Sequence, residues 1–498
     1  MERSGRPTPV NADEPPPQTD QYHCPGEAHP ISRAVHLGRL AAFYPACRQC
    51  PRRDDTGTLS PRRVAQLAET SSRGQPRSLF HAEGAGGVYL NDLTPAVAKD
   101  IAAAFGALMR EAAWDGGLGT LVPSEGGTRK PEVRIAEDSN PQFAIPDPSI
   151  LLAGDGRPLT AELVAAAAEG LRSTGCNVVD IGPSTAACLA FAVHHLQAAG
   201  GVLVGNPGED SHTAGLKFWM AGPRPLSAGG SLEPIVQRYQ AGVERPARCY
   251  GELRRFQADR PYLAQMSEHY HALRPLRVVV DSASRPTVDF LQRLAATVAC
   301  EIIPTRSTRS DLPRQILDDA AHFAVCIDGD GEMCLALDEQ GRAVSPERLL
   351  LLLACFSHDK GRTADSVPLL RRSSAECNPL PGTACKQAVA HGSEKCGPAG
   401  QSSVKSVVLE TETSRAIADR LERLGMQIVT SSPRRADMYS SMVEHVAALG
   451  GGPSGRFWHS EAGLPLCDAL MTVTRLLIAL SCADEPLSKV LDRDAPPV

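Results

Sequence analysis

The chain has 498 residues, 42% of them hydrophobic, with Lys+Arg 51 against Asp+Glu 57 and a formal net charge of -6. That length predicts roughly three domains with ample material for cores, and the near balance of charge excludes the basic footprint of a nucleic-acid or membrane-surface binder. Apolar runs such as 349–355 and 469–482 are too short or too interrupted to span a bilayer. Residues 1–20 lack the charged-then-apolar order of a signal peptide, so a cytoplasmic protein is expected. Most of the 15 cysteines, such as Cys176, Cys188, Cys300, Cys326, Cys355 and Cys467, lie singly in apolar segments, which predicts buried thiols rather than a disulfide framework.

In chain order, residues 1–20 are proline-rich and read as a disordered tail. Residues 21–75 carry Cys24, a helix-like run Ile31–Phe43 and then Cys47-Arg48-Gln49-Cys50. A Cys-x2-Cys pair with a third Cys and nearby His23, His29 or His36 can supply the four ligands of tetrahedral zinc. Such a metal would staple a module too short to hold itself by core packing. Cys24, His29, Cys47 and Cys50 form the zinc candidate, and the alternatives are three unrelated thiols or a three-Cys iron–sulfur ligand set.

From Leu79 the pattern changes to alternating strand and helix. Thr94 is expected to cap an alanine-rich helix running to Ala113, and Thr160 a helix running to Leu171. Strands are expected over 150–153, 177–181 and 201–204, with a helix over 184–196. After a polar linker the pattern resumes with strands 276–280, 301–304 and 323–327 and helices 287–296 and 312–321. A third round has helices 346–356, 414–424 and 437–448 and strands 406–409 and 426–429. Alternation of this kind predicts parallel βαβ units and a tandem α/β architecture. The Ser-, Gly-, Pro- and Cys-rich stretch 370–401, with Cys377, Cys385, His391 and Cys396, reads as an inserted loop.

One stretch carries the chemistry: Cys326-Ile327-Asp328-Gly329-Asp330-Gly331-Glu332-Met333-Cys334. It places Asp328, Asp330 and Glu332 in a glycine loop at a strand's C-terminal edge, where they can converge on one hard cation such as Mg2+. Asp-Gly is also a common hairpin signal, so an acidic hairpin turn is the equal alternative.

The order of motifs resembles the alpha-D-phosphohexomutase family, the phosphoglucomutases and phosphomannomutases, over roughly residues 79–480. Leu79-Phe80-His81-Ala82-Glu83-Gly84-Ala85-Gly86-Gly87 followed by Leu93-Thr94-Pro95 is similar to the family's Phe-Gly-Thr-x-Gly-Ile-Arg-Gly entry strand. Gly154-Asp155-Gly156-Arg157-Pro158 is similar to its Gly-Arg-Asp-x-Arg-Pro turn, and the acidic loop to its metal loop Asp-Gly-Asp-Gly-Asp-Arg. Gly451-Gly452-Pro453-Ser454-Gly455-Arg456 falls where the family reads the sugar with Gly-Glu-x-Ser-Gly-His.

The resemblance implies three phosphohexomutase-type α/β/α domains, over 76–258, 259–338 and 339–485, after the Cys-rich module and before a tail 486–498. It also implies Mg2+ on Asp328, Asp330 and Glu332, phosphate cations at Arg157 and Lys217, and a sugar end at Ser454 and Arg456. The departures are as specific as the matches. The family's phosphoserine falls on Pro207 in the register of Gly215-Leu216-Lys217-Phe218, or on Val204 in the register of Asn206-Pro207. Neither carries a hydroxyl. Met333 replaces a phosphate-clamping Arg, Gly452 and Arg456 replace Glu and His, and no Arg-x-Ser-Gly-Thr phosphate loop follows, so the fourth domain of the family is expected to be missing.

Phosphoryl transfer rests almost wholly on positioned charge. The expectation is therefore a degenerate member that binds a hexose phosphate, with the N-terminal module docking a protein partner. The alternatives are an active mutase using a displaced Ser211 with Mg2+, and a structural protein without ligand.

Overall fold

The computed structural model describes residues 21–24, 28–71, 78–114, 147–205, 210–242, 247–306, 309–357 and 406–493. The expected tail 1–20, the stretch 206–209 with Pro207, and the inserted loop 370–401 lie outside them. The described residues form a mixed α/β protein with 14 α-helices and three large sheets. The chain divides into two compact units, Met1–Arg73 and Gly74–Val498.

In the first unit, strands β1 (Gln21–Tyr22) and β2 (Ile31–Ser32) pair antiparallel, followed by helices α1 (Arg33–Ala41) and α2 (Pro61–Ser71). The helix thus begins two residues later than the run Ile31–Phe43 suggested, because Ser32 is extended and its hydroxyl accepts from Val35 N. The buried ring of His36 stacks on Tyr22 at 4.2 Å and 8°, and its Nε2 meets the Asp55 carbonyl at 3.0 Å. His36 is a core residue of this unit.

The second unit repeats one plan three times. Its first sheet contains β3 (Phe80–His81), β4 (Gly84–Val88), β5 (Ser149–Gly154), β6 (Asn177–Pro183), β7 (Gly200–Gly205), β8 (Thr213–Met220), β9 (Arg224–Pro225) and β10 (Leu253–Arg255). The order is β10-β6-β5-β7-β8-β4-β3, parallel as far as β7 and antiparallel from β8 onward. Its helices are α3 (Pro95–Trp114), α4 (Thr160–Ser173), α5 (Ala186–His195) and α6 (Glu233–Ala241), and α7 (Asp259–Ser267) leads onward. Thr94 Oγ1 does accept from Val97 N, at 3.3 Å. Thr160 is not a cap: α4 follows Leu159, and the Thr160 hydroxyl instead donates to Asp155 Oδ1 at 2.7 Å.

The second sheet has order β12-β11-β13-β14-β15, from β11 (Arg277–Ser282), β12 (Glu301–Pro304), β13 (Phe323–Ile327), β14 (Cys334–Asp338) and β15 (Ala343–Val344), with helices α8 (Arg285–Ala295) and α9 (Leu312–Asp318). After α10 (Pro346–Ser357), the third sheet has order β17-β16-β18-β19-β20. Its strands are β16 (Ser406–Glu410), β17 (Gln427–Ser431), β18 (Leu449–Gly451), β19 (Trp458–Glu461) and β20 (Leu464–Cys467). Helices α11 (Arg415–Arg423), α12 (Arg435–Glu444), α13 (Ala469–Ala483) and α14 (Leu487–Asp492) complete it. Both sheets run three parallel strands and then turn antiparallel.

Alternation along the central strands explains the layers. In β13, Phe323, Val325 and Ile327 face one large core, while Ala324 and Cys326 face a smaller one with Leu312 and Ile316. In β16, Val407 and Leu409 join the large core and Val408 packs with Met438 and Met442. The large core draws on all three sheets and includes α5 and α13, helices buried on nearly every side. No described helix is long and apolar enough to cross a membrane.

Candidate functional site

In each repeat the chain leaves the last parallel strand and returns on the first antiparallel one, β7 to β8, β13 to β14 and β18 to β19, the described connecting residues being 210–212, 328–333 and 452–457. The three motif-bearing loops are therefore equivalent by topology, at the strands' C-terminal edges. The acidic stretch is a hairpin connection, with Ile327 paired to Cys334, so the turn reading of Asp-Gly holds. Its carboxylates are nevertheless not a solvated turn. Asp330 and Glu332 are each only 2% exposed.

Backbone groups fix the loop against its neighbours. The N-terminal N–H groups of two helices donate to it, Ala186 N to Asp330 O at 2.9 Å and Ala469 N to Gly331 O at 3.1 Å. Cys334 N donates to Gly455 O at 2.8 Å, and Met333 forms an antiparallel bridge with Arg456. Gly205, at the end of β7, is needed for close approach: a Cβ there would lie 2.4 Å from Asp330 Oδ1.

The buried carboxylates are met by cations from other sheets. Lys217 Nζ, on β8, lies 2.5 Å from Asp330 Oδ2 and 2.7 Å from Glu332 Oε2. Arg435, the first residue of α12 and 1% exposed, donates through Nη1 to Glu332 Oε1 at 2.9 Å and through Nε to Glu83 Oε2 at 2.8 Å. Its guanidinium also lies 4.7 Å from the centre of the Trp219 ring. Trp219 and Lys217 share one face of β8. Ser227 Oγ donates to Glu83 Oε2 at 3.0 Å, completing the ring of contacts.

Electrostatics follow from this arrangement. Burial alone would raise Glu332, but Arg435 and Lys217 outweigh it and hold the carboxyl well below the usual range. Burial raises Asp330, against the pull of Lys217. Asp328 is pushed up to about 6 by burial and by Asp330, although its Oδ1 accepts from Glu332 N at 2.8 Å and Met333 N at 3.1 Å. Burial opposes the charge of Lys217, yet Asp330 and Glu332 raise its pKa.

The other expected site residues are placed as follows. Arg157 pairs with Asp155 at 2.5 Å and donates through Nη1 to the carbonyls of Ser211 at 3.2 Å and Thr213 at 2.9 Å, so it anchors the loop carrying Ser211. Val204 is buried in β7. Ser454 N and Oγ both donate to Glu410, the former at 3.0 Å, and Arg456 N donates to Ser454 Oγ at 3.1 Å. Glu410 fills the room left by Gly452, since a Cβ there would stand 2.6 Å from Glu410 Cβ. Arg456 keeps its side chain 26% exposed, with Nη1 4.0 Å from Glu83 Oε1. It is the most accessible cation of the cluster.

In the first unit Cys24, Cys47 and Cys50 are buried and His29 is exposed. Burial, then Cys24 and Cys50, push the Cys47 thiol up to about 11. Among the described residues no group of three or more His, Cys, Asp or Glu is disposed to hold a metal ion, in either unit. In the acidic loop Lys217 stands between two of the carboxylates.

Glu83, Glu410 and Arg435 were missed as partners by sequence reasoning. Arg435 precedes the expected helix start at 437, so no local pattern pointed to its buried role.

Known proteins resemble the chain in sequence and in fold. Residues 135–242 match the family profile described as phosphoglucomutase/phosphomannomutase, alpha/beta/alpha domain I. The chain is 28% identical over 232 residues to a phosphomannomutase of Salmonella montevideo, covering 41% of this chain and 51% of that protein. It is 27% identical over 242 residues to a phosphoglucosamine mutase of Frankia alni, covering 44% and 52%. The chain thus spans about half the length of the curated relatives it matches. Among solved structures, a phosphoglucomutase/phosphomannomutase family protein from Burkholderia thailandensis superposes with a TM-score of 0.64 at 19% identity, covering 86% of this chain and 81% of that one. A phosphomannomutase structure from Thermus thermophilus gives 0.59 at 17%, covering 83% and 82%. At these identities the structures establish the shared fold.

Proposed function

The chain belongs to the alpha-D-phosphohexomutase family, and from that premise we propose that it binds a hexose phosphate without ordinary mutase turnover. One observation carries the reading. Where the family's phosphoryl-carrying serine falls, Pro207 in one register and Val204 in the other offer no hydroxyl, and the acidic loop facing the end of β7 is neutralised by Lys217 and Arg435. Arg456, partly exposed beside Glu83 and Glu332, supplies the cation for a phosphate. Lys217 is engaged by Asp330 and Glu332, and Arg157 by Asp155 and the carbonyls of Ser211 and Thr213. The second reading, a mutase using Ser211, draws support from the anchoring of Ser211 by Arg157.

The test is a mutase assay of the full chain with Mg2+, glucose 1-phosphate or mannose 1-phosphate and a catalytic amount of the sugar bisphosphate, beside thermal melts with the same sugar phosphates. Saturable stabilisation without turnover is the expected result, and Arg456→Ala should remove the stabilisation. Turnover abolished by Ser211→Ala would replace this reading with the second. Neither turnover nor stabilisation would sink both.

A further inference from the structure

The acidic loop carries its own counter-ion. Both carboxylate oxygens of Glu332 are engaged by protein cations, Oε2 by Lys217 and Oε1 by Arg435, and Asp330 Oδ2 is engaged by the same Lys217 ammonium. Asp328 Oδ1 is occupied by two backbone N–H groups. A magnesium ion requires near-octahedral oxygens at about 2.0–2.1 Å and retains several waters. An ammonium whose side chain is 8% exposed, wedged between two of the three carboxylates, fills that volume and repels a second cation.

We propose that the Lys217 ammonium is the resident cation of the acidic loop, that the native protein takes up no divalent ion there, and that removing Lys217 uncovers a latent divalent-cation site formed by Asp328, Asp330 and Glu332. The difference from a bound metal is one of linkage. A metal comes and goes with its concentration, whereas Lys217 is fixed to β8, between Leu216 and Phe218 of the core. The loop's charge is therefore compensated whenever the chain is folded, and no metal is available there to polarise a phosphoryl oxygen. The inference goes beyond hexose-phosphate binding and does not depend on it, because its readout is metal uptake in the absence of any sugar.

The probe is Mn2+, followed by the loss of the free-ion electron paramagnetic resonance signal, with full-length native protein, Asp330→Asn, Lys217→Ala and Lys217→Ala/Asp330→Asn. Native protein is expected to leave the signal unchanged at equimolar Mn2+. Lys217→Ala is expected to take up about one ion per chain, with its melting midpoint rising by about 2 °C or more in saturating Mn2+. The double variant should lose both effects. Uptake by native protein that Asp330→Asn abolishes would overturn the proposal, and so would a folded Lys217→Ala that binds no Mn2+. Should Lys217→Ala fail to fold, native protein against Asp330→Asn still decides whether the loop excludes the ion.

Discussion

The loops 328–333 and 452–457 occupy the same place in two copies of one plan, between the third and fourth strands of their sheets, yet they are held in opposite ways. The first is crowded with carboxylates and satisfied from outside its sheet, by Lys217 of the first sheet and Arg435 of the third. The second contains no carboxylate of its own, and its Ser454 is tied down by Glu410, at the end of a strand of the same sheet. Both are hydrogen-bonded arrangements, the first buried and the second half-buried. Only the first makes the integrity of one loop depend on three sheets at once.

That contrast ranks the expected effects of substitution. Arg435→Ala removes the fully buried cation shared by Glu332 and Glu83, leaving Lys217 alone on Glu332, and should cost about 3 kcal/mol or more in urea unfolding, the loss expected when one partner of a buried ion pair is removed. Glu410→Ala leaves Ser454 N and Oγ without their acceptor and should cost about 1–3 kcal/mol.

The third effect is one of pH. His459, 2% exposed and bonded through Nε2 to Thr472 Oγ1 at 2.8 Å, is held well below its ordinary pKa by burial and then by Arg475. Its depressed folded value means the unfolded chain takes up the proton first. Stability is complete above about pH 6.5 and falls as pH drops below it, by up to about 1.4 kcal/mol per unit. Native protein should lose about 1.4 kcal/mol more than His459→Gln between about pH 7.5 and pH 5.5 in parallel urea titrations. Equal losses would mean that His459 is protonated in the folded state.

Much of this was legible in the chain. Strand–helix alternation gave the three sheets, because period-two burial in β13 and β16 and all-round burial in α5 and α13 leave plain hydrophobic patterns. Glu301–Pro304 and Phe323–Ile327 agree to the residue with their expected bounds. Helix α12 begins at Arg435, not at the expected 437, because its first residue is recruited by Glu83 and Glu332, contacts that no local pattern encodes. The acidic residues and Lys217 were each legible, but not their pairing: Lys217 meets Asp330 and Glu332 across more than one sheet. A single sequence shows which charges exist. Which of them meet depends on loops more than 100 positions apart.

The central claim is that Lys217 and Arg435 neutralise Glu332 jointly, in place of an external ion. A double-mutant cycle of Lys217→Met and Arg435→Met, read by urea unfolding, tests it most directly. The claim predicts that the double variant departs from the sum of the single losses by more than about 0.5 kcal/mol, the behaviour of residues sharing one network. Losses that simply add would show that the two cations act on separate sites, and the shared carboxylate would then not be the link between the three sheets.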